Sequence, residues 1–361
     1  MKATQLLHNL GQSIWLDNIT RDLLDSGTLQ QYINDFSVTG LTSNPTIFER
    51  AVRESSAYET SIREKLAAGK HGEELFFDLA LEDLTRAADL FRPVYNRTNT
   101  VDGWVSLGVS PLLAYDPESM LHAAKDLFAR GGRPNLFIKI PGTRQGLLAI
   151  EEAVFAGVPV NVTLLFSREQ YMAAAHAFLR GIERRLDAGL NPNVGSVASV
   201  FVSRWDAATR DRVPASLRNH LGIAIAQRTY KAARTLLTSP QWQRVYNAGA
   251  RPQRLLWAST GMKDPAVSEI LYVKALAAPH TVNTMPEGTL KALARYRQLG
   301  SILPADGGDC EQVLSSFAEA GIDINALASR LQEEGVKSFV ESWNQLMGVI
   351  ASKSAVLKKA S

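Results

Sequence analysis

The stretch PVNVTLLFSREQYMAAAHAFLRGIERRLDAG, residues 159–189, changes its period part-way. Residues 159–166 are apolar or β-branched on both faces, as in a strand covered above and below. From residue 167 onward apolar positions recur every three to four residues, the mark of a helix with one buried stripe. Ser167 followed by Glu169 reads as the start of that helix.

The same unit recurs along the chain. Strand-like runs occupy 13–19, 36–43, 103–110, 135–140, 159–166, 195–203, 254–260 and 280–285, each followed by a helical pattern. Strand–helix alternation of this kind favours an α/β fold, a (β/α)8 TIM barrel with extra helices. A doubly wound open sheet is the alternative. No Gly-x-Gly-x-x-Gly turn follows any strand, which argues against its dinucleotide-binding version. The long gap between the second and third strands holds two helical patterns, at 44–69 and 72–95, and more helix follows residue 309. No Gly-, Ser- or Pro-rich linker interrupts the chain, so one domain over 1–361 is expected.

Composition narrows the function. A hydrophobic fraction of 45% with 21% charged residues suits a water-soluble globular protein. A net charge of +3 is too small to imply nucleic acid, and no aromatic-interleaved basic stripe exists. The basic tail SKSAVLKKAS reads as a solvated helix end. The N-terminus lacks the apolar core and cleavage site of a signal peptide, and no run reaches the length of a membrane span. A cytoplasmic protein with no nucleic-acid or membrane partner is expected, either monomer or homodimer. Cys310, the single cysteine, excludes an intrachain disulfide and reads as a buried or incidental thiol.

In a barrel, chemistry gathers where strands end. The polar residues there are Asp17; Thr42, Ser43 and Asn44; Lys139; Asn161 and Thr163; Ser199, Ser203 and Arg204; Ser259, Thr260 and Lys263; and Asn283. Most have an ordinary structural reading: backbone-bonded hydroxyls, a turn at Asn44-Pro45, a solvent-facing Arg204. Lys139 is different, because NLFIKIPGT (135–143) sets it among Leu136, Phe137, Ile138 and Ile140. A buried ammonium is costly and tends to give up its proton. Lys139 is therefore either a salt-bridged or snorkelling core lysine, or a neutral amine able to form a Schiff base with a carbonyl. An imine on a ketose is an electron sink that permits C3–C4 cleavage, given a base such as Asp17 for the C4 hydroxyl. Arg204, with Ser259 or Lys263, suits a terminal phosphate.

The motifs WLDNITRDLL, VTGLTSNPTIFE, LFIKIPGT, NVTLLFSREQY, VASVFVSRWD, LLWASTGMKDP and TVNTMPEGTL run in order along the chain. Together they resemble the transaldolases of the long bacterial subtype. The resemblance implies cofactor-free, metal-free transfer of a dihydroxyacetone unit from sedoheptulose 7-phosphate to glyceraldehyde 3-phosphate. The products would be erythrose 4-phosphate and fructose 6-phosphate, within the pentose phosphate pathway. It further implies Lys139 as the Schiff-base lysine, Asp17 as the acid/base and Thr163 as the residue positioning a catalytic water. Asn44 and Asn161 would bind the dihydroxyacetone hydroxyls. Ser199 matches a further site serine, Arg204 and Ser259 match the phosphate end, and Lys263 is a weaker addition there.

One position departs from the pattern. VSLGVSP places Gly108 where the resemblance implies a glutamate that shares proton transfers with Asp17, Thr163 and a water. Glycine has no proton to give, and Asp116 and Glu118 lie beyond the strand. Reduced turnover with imine formation retained is the expectation. The alternatives are a fructose 6-phosphate aldolase-like lyase and a non-catalytic sugar-phosphate binder.

Overall fold

The computed structural model describes residues 1–359 apart from 263 and 265. Its strands are β1 Ser13–Asp17, β2 Val38–Thr42, β3 Val105–Gly108, β4 Leu136–Pro141, β5 Val160–Leu165, β6 Ser196–Phe201, β7 Arg254–Ala258 and β8 Val282–Met285. They form a closed barrel in sequence order, every neighbouring pair parallel, with β1 pairing β8 to complete it. Closure removes the open-sheet alternative. Seven strands lie inside the runs that the sequence marks, trimmed by a residue or more in most cases, and β4 runs one residue past its run, to Pro141.

Alternation along the strands sorts side chains into an outer and an inner set. Ile14, Leu16, Val38, Leu41, Ile138, Ile140, Val160 and Val162 pack outward against the helices. Trp15, Trp104, Phe137, Val197, Leu256 and Val282 belong to a second apolar cluster, and these six take the inward rows of the barrel. Within it the Trp104 and Phe137 rings stack with centroids 4.0 Å apart, and Trp15 tilts against Phe137 at 6.1 Å. Gly40 makes room for this plug: a Cβ there would come within 2.7 Å of the Trp15 ring and 2.6 Å of the Trp104 carbonyl oxygen. One step further along the same inward rows stand Asp17, Thr42, Ser106, Lys139, Asn161, Ser199 and Thr284. Apolar axis residues thus support a polar layer at the C-terminal mouth.

The helices depart from expectation at three places. The pattern at 44–69 splits into helices Pro45–Glu54 and Glu59–Ala67. Ser55 turns extended, its Oγ accepts from the Ala57 amide, and Tyr58 drops inward to donate to Asp83 at 2.7 Å. The start of helix Arg168–Asp187 is a capping box of Ser167 and Gln170 rather than of Glu169, which pairs instead with Arg168. The C-terminal helix Ile324–Lys359 is far longer than a terminal flourish: it lies along helix Pro45–Glu54 and reaches the barrel mouth. There Gln332 donates to the carbonyl oxygens of Gly142 and Leu164, at 3.0 and 2.9 Å. It runs through residues 352–359 of the basic tail, which the sequence implies to be a helix end. Cys310 is buried, at the first turn of helix Cys310–Glu319. No helix among the described residues is long and apolar enough to cross a membrane.

Candidate active site

Lys139 projects from β4 into the barrel, flanked in register by Gly108 of β3 and Asn161 of β5. Its Nζ donates to the Ser43 carbonyl oxygen at 3.2 Å. Burial pulls its pKa below the ordinary lysine value, and the charge of Asp17 offsets part of that shift. Asp17 shows the mirror image: burial raises its pKa, while Lys139 and a hydrogen bond from Thr42 hold it down. The two groups feel each other's charge without forming an ion pair.

Two hydrogen-bonded sets surround the amine. Thr42 Oγ1 donates to Asp17 Oδ1 at 2.8 Å and shares a 2.7 Å contact with Thr284 Oγ1. Across the barrel, Ser199 Oγ donates to Asn161 Oδ1 at 2.7 Å, and Asn161 Nδ2 donates to Ser106 Oγ at 3.0 Å. Asn161 is therefore fixed in orientation from both sides. Thr163 lies two residues further along β5, with its hydroxyl buried and unpartnered. The next residue, Leu164, adopts φ 60°, and the β5–β6 register slips there. This bulge bends the end of β5 over the mouth, and Gln332 secures it.

Asn44 caps helix Pro45–Glu54: its Oδ1 accepts from the Ile47 amide at 3.0 Å, so its amide NH2 is the end left for a ligand. Asn44, Lys139 and Thr163 also line one small cavity at the mouth, walled by Leu107, Leu164 and Trp343. Arg204 sits at the start of helix Ser203–Thr209, its guanidinium 5.7 Å from the Phe201 ring centroid. Burial lowers its pKa, partly offset by Glu334. It makes no ion pair among the described residues, so its fork is open to an anion. Ser259 shares a 2.8 Å hydrogen bond with Ser203 and holds a left-handed backbone at φ 56°, an unusual state for a serine. Lys263 lies outside the described residues. Asn283 faces away from the axis, accepting from Thr260 at 2.8 Å, and serves packing behind β8. Among the described residues no group of three or more His, Cys, Asp or Glu gathers as metal ligands do.

Residues 14–350 match the model of the family described as Transaldolase/Fructose-6-phosphate aldolase. The chain belongs to that family. A protein named Transaldolase from Frankia alni is 41% identical over 352 residues, 95% of each chain. One of the same name from Arthrobacter sp. is 40% identical over 367 residues, 99% of each chain. Transaldolase 2 of Nostoc sp. is 36% identical over 366 residues, 96% of each chain.

Within this member of the transaldolase/fructose-6-phosphate aldolase family, Gly108 is not demanded by the backbone. Its φ lies outside the left-handed region, and a Cβ built on it would meet only Lys139 Cβ, at 4.0 Å. The position accepts a side chain aimed at the reacting centre. Sequence reading missed Ser106, Thr284 and Gln332. The first two were legible in principle, because each shares the inward parity of its strand with the barrel-axis residues. Gln332, nearly 170 residues from its partner Leu164, left no local signal.

Proposed function

We propose that this chain is a transaldolase working through an imine on Lys139. The single observation that carries the reading is a buried amine, depressed in pKa, on the inward face of β4 at the barrel mouth with Asp17 close enough to sense it. Full-length relatives named for transfer support transaldolase over a lyase that releases its three-carbon unit.

In this reading the neutral Nζ attacks the C2 carbonyl of a ketose phosphate, and loss of water leaves an iminium. Asp17 takes the C4 hydroxyl proton as the C3–C4 bond breaks, and the electron pair of that bond moves into the iminium as an enamine. The aldose phosphate departs; an aldehyde acceptor then adds to the enamine carbon, takes a proton from Asp17, and hydrolysis frees Lys139. Asn161, held by Ser199 and Ser106, and the free NH2 of Asn44 orient the hydroxyls of the bound unit. Arg204 and Ser259 receive the terminal phosphate. Sedoheptulose 7-phosphate and glyceraldehyde 3-phosphate are the substrates in this reading, as in the pentose phosphate pathway, with the protein working in the cytoplasm.

Gly108 leaves this centre without the carboxyl group of the resembling pattern. The cavity beside it, about 40 Å³ and bounded by Lys139 and the unpartnered Thr163 hydroxyl, has room for water to relay the protons instead. Turnover persists at a reduced rate. Borohydride reduction with fructose 6-phosphate, followed by peptide mapping, tests the assignment. A three-carbon adduct on Lys139 is expected; no adduct, or one on another lysine, overturns it. Free dihydroxyacetone accumulating without an acceptor would favour the lyase.

A further inference from the structure

The N-terminal end of the barrel, opposite the mouth, encloses a cavity of about 620 Å³, in the range of small-molecule sites. It opens between the starts of β1, β6 and β7 and helices Leu221–Leu237 and Pro240–Asn247. In barrels of this class that face ordinarily serves stability.

The wall is cationic. Arg234, Arg251 and Arg254 line it, and Asp102 is the one carboxylate among the lining residues. Asp102 accepts from Ser13 Oγ, from Trp15 Nε1 at 2.8 Å and from the Gly103 amide at 3.0 Å, and its charge offsets part of that of Arg254, which leaves Arg234 and Arg251 uncompensated by it. None of the three arginines forms an ion pair among the described residues. Arg254 spends its terminal nitrogens on Ser13 Oγ and on the carbonyl oxygens of Thr281 and Val101, yet its Nε has no partner. Gln253, 7% exposed and part of the same wall, donates to Ser196 while its Oε1 has no partner. Buried polar atoms without partners are rare in native interiors, and both of these belong to side chains of the cavity wall. Aromatic rings share the lining: Trp242 and Tyr246 tilt together at 6.1 Å, and Tyr230 lies beside Arg234.

We propose that this cavity is a second ligand site, built for a small organic anion that carries a ring. A carboxylate or phosphate matches the guanidinium groups of Arg234 and Arg251, and the ring lies against Trp242 and Tyr246. An aromatic carboxylate and a nucleoside monophosphate share this chemistry, and separate probes distinguish them.

The test is calorimetric titration of the full chain with 4-hydroxybenzoate, AMP, adenosine and inorganic phosphate, each without and with saturating fructose 6-phosphate. One of the two ring-bearing anions is expected to bind at a single site, with adenosine and phosphate alone at least about tenfold weaker. Arg251→Glu, at a partly exposed position without an ion pair among the described residues, and Gln253→Leu should each weaken it by about tenfold or more. Arg204→Glu, at the opposite end, should leave it unchanged. Failure of both anions to bind at millimolar concentration overturns the proposal. So does binding that fructose 6-phosphate abolishes, or that survives both Arg251→Glu and Gln253→Leu.

Discussion

Lys139 at its ordinary value of 10.5 would leave only about one amine in a few thousand unprotonated at neutral pH. Burial in the barrel changes that population, so the acid limb of kcat/KM should lie below the ordinary lysine range. As pH falls through the depressed pKa, the amine takes a proton and imine formation stops. Asp17 works against burial, since its charge favours the protonated amine. Asp17→Asn should therefore move the acid limb to lower pH while cutting kcat about 10²–10⁴-fold through loss of the C4 base. A pH–rate series on both proteins checks the two effects separately, and a limb that moved upward would contradict the electrostatics. Gly108→Glu is the complementary experiment. The site has room for the side chain, and kcat should rise by up to about 10²–10⁴-fold if the added carboxyl joins the proton transfers. An unchanged steady-state rate would show that water already does this work. Lys139 and Asp17 were legible because each breaks the apolar pattern of its strand. Asn161 was legible only as a polar residue, since its orientation depends on Ser106 and Ser199 from two other strands.

Among the elements, strands were easier to read than helices because burial on both faces leaves little ambiguity in an apolar run. The helix at 44–69 read as continuous because its periodicity survives the break at Ser55–Tyr58. What ends it is Tyr58 reaching a buried ion pair, Arg21 with Asp83 at 2.9 Å, from a distant part of the chain. The C-terminal helix carries the same lesson, since its amphipathic pattern does not reveal that Gln332 ties down the ends of β4 and β5. Gln332→Leu removes the donor to two carbonyl oxygens in one step. Unfolding in urea should show a loss of about 1–3 kcal/mol. Because those carbonyls flank Thr163 and the Leu164 bulge, kcat should fall while the borohydride adduct on Lys139 still forms. A variant with normal turnover would mean that the bulge holds itself in place.

At the scale of the molecule, the barrel is a stack: cationic cavity below, aromatic plug in the middle, reacting layer above. Phe137 belongs to two of these levels. It lines the N-terminal cavity, and it stacks on Trp104 one inward step beneath Lys139. The plug is thus what separates water at the lower end from the amine whose reactivity depends on being dry. Phe137→Ala should cost about 3–5 kcal/mol as a large-to-small change in a packed core, read as a lower urea midpoint. It should also admit solvent from below and relax the desolvation that depresses Lys139. The acid limb of kcat/KM should then shift to higher pH, opposite in direction to the shift from Asp17→Asn. Loss of stability with an unmoved limb would show that the dryness of the amine is set by the mouth alone.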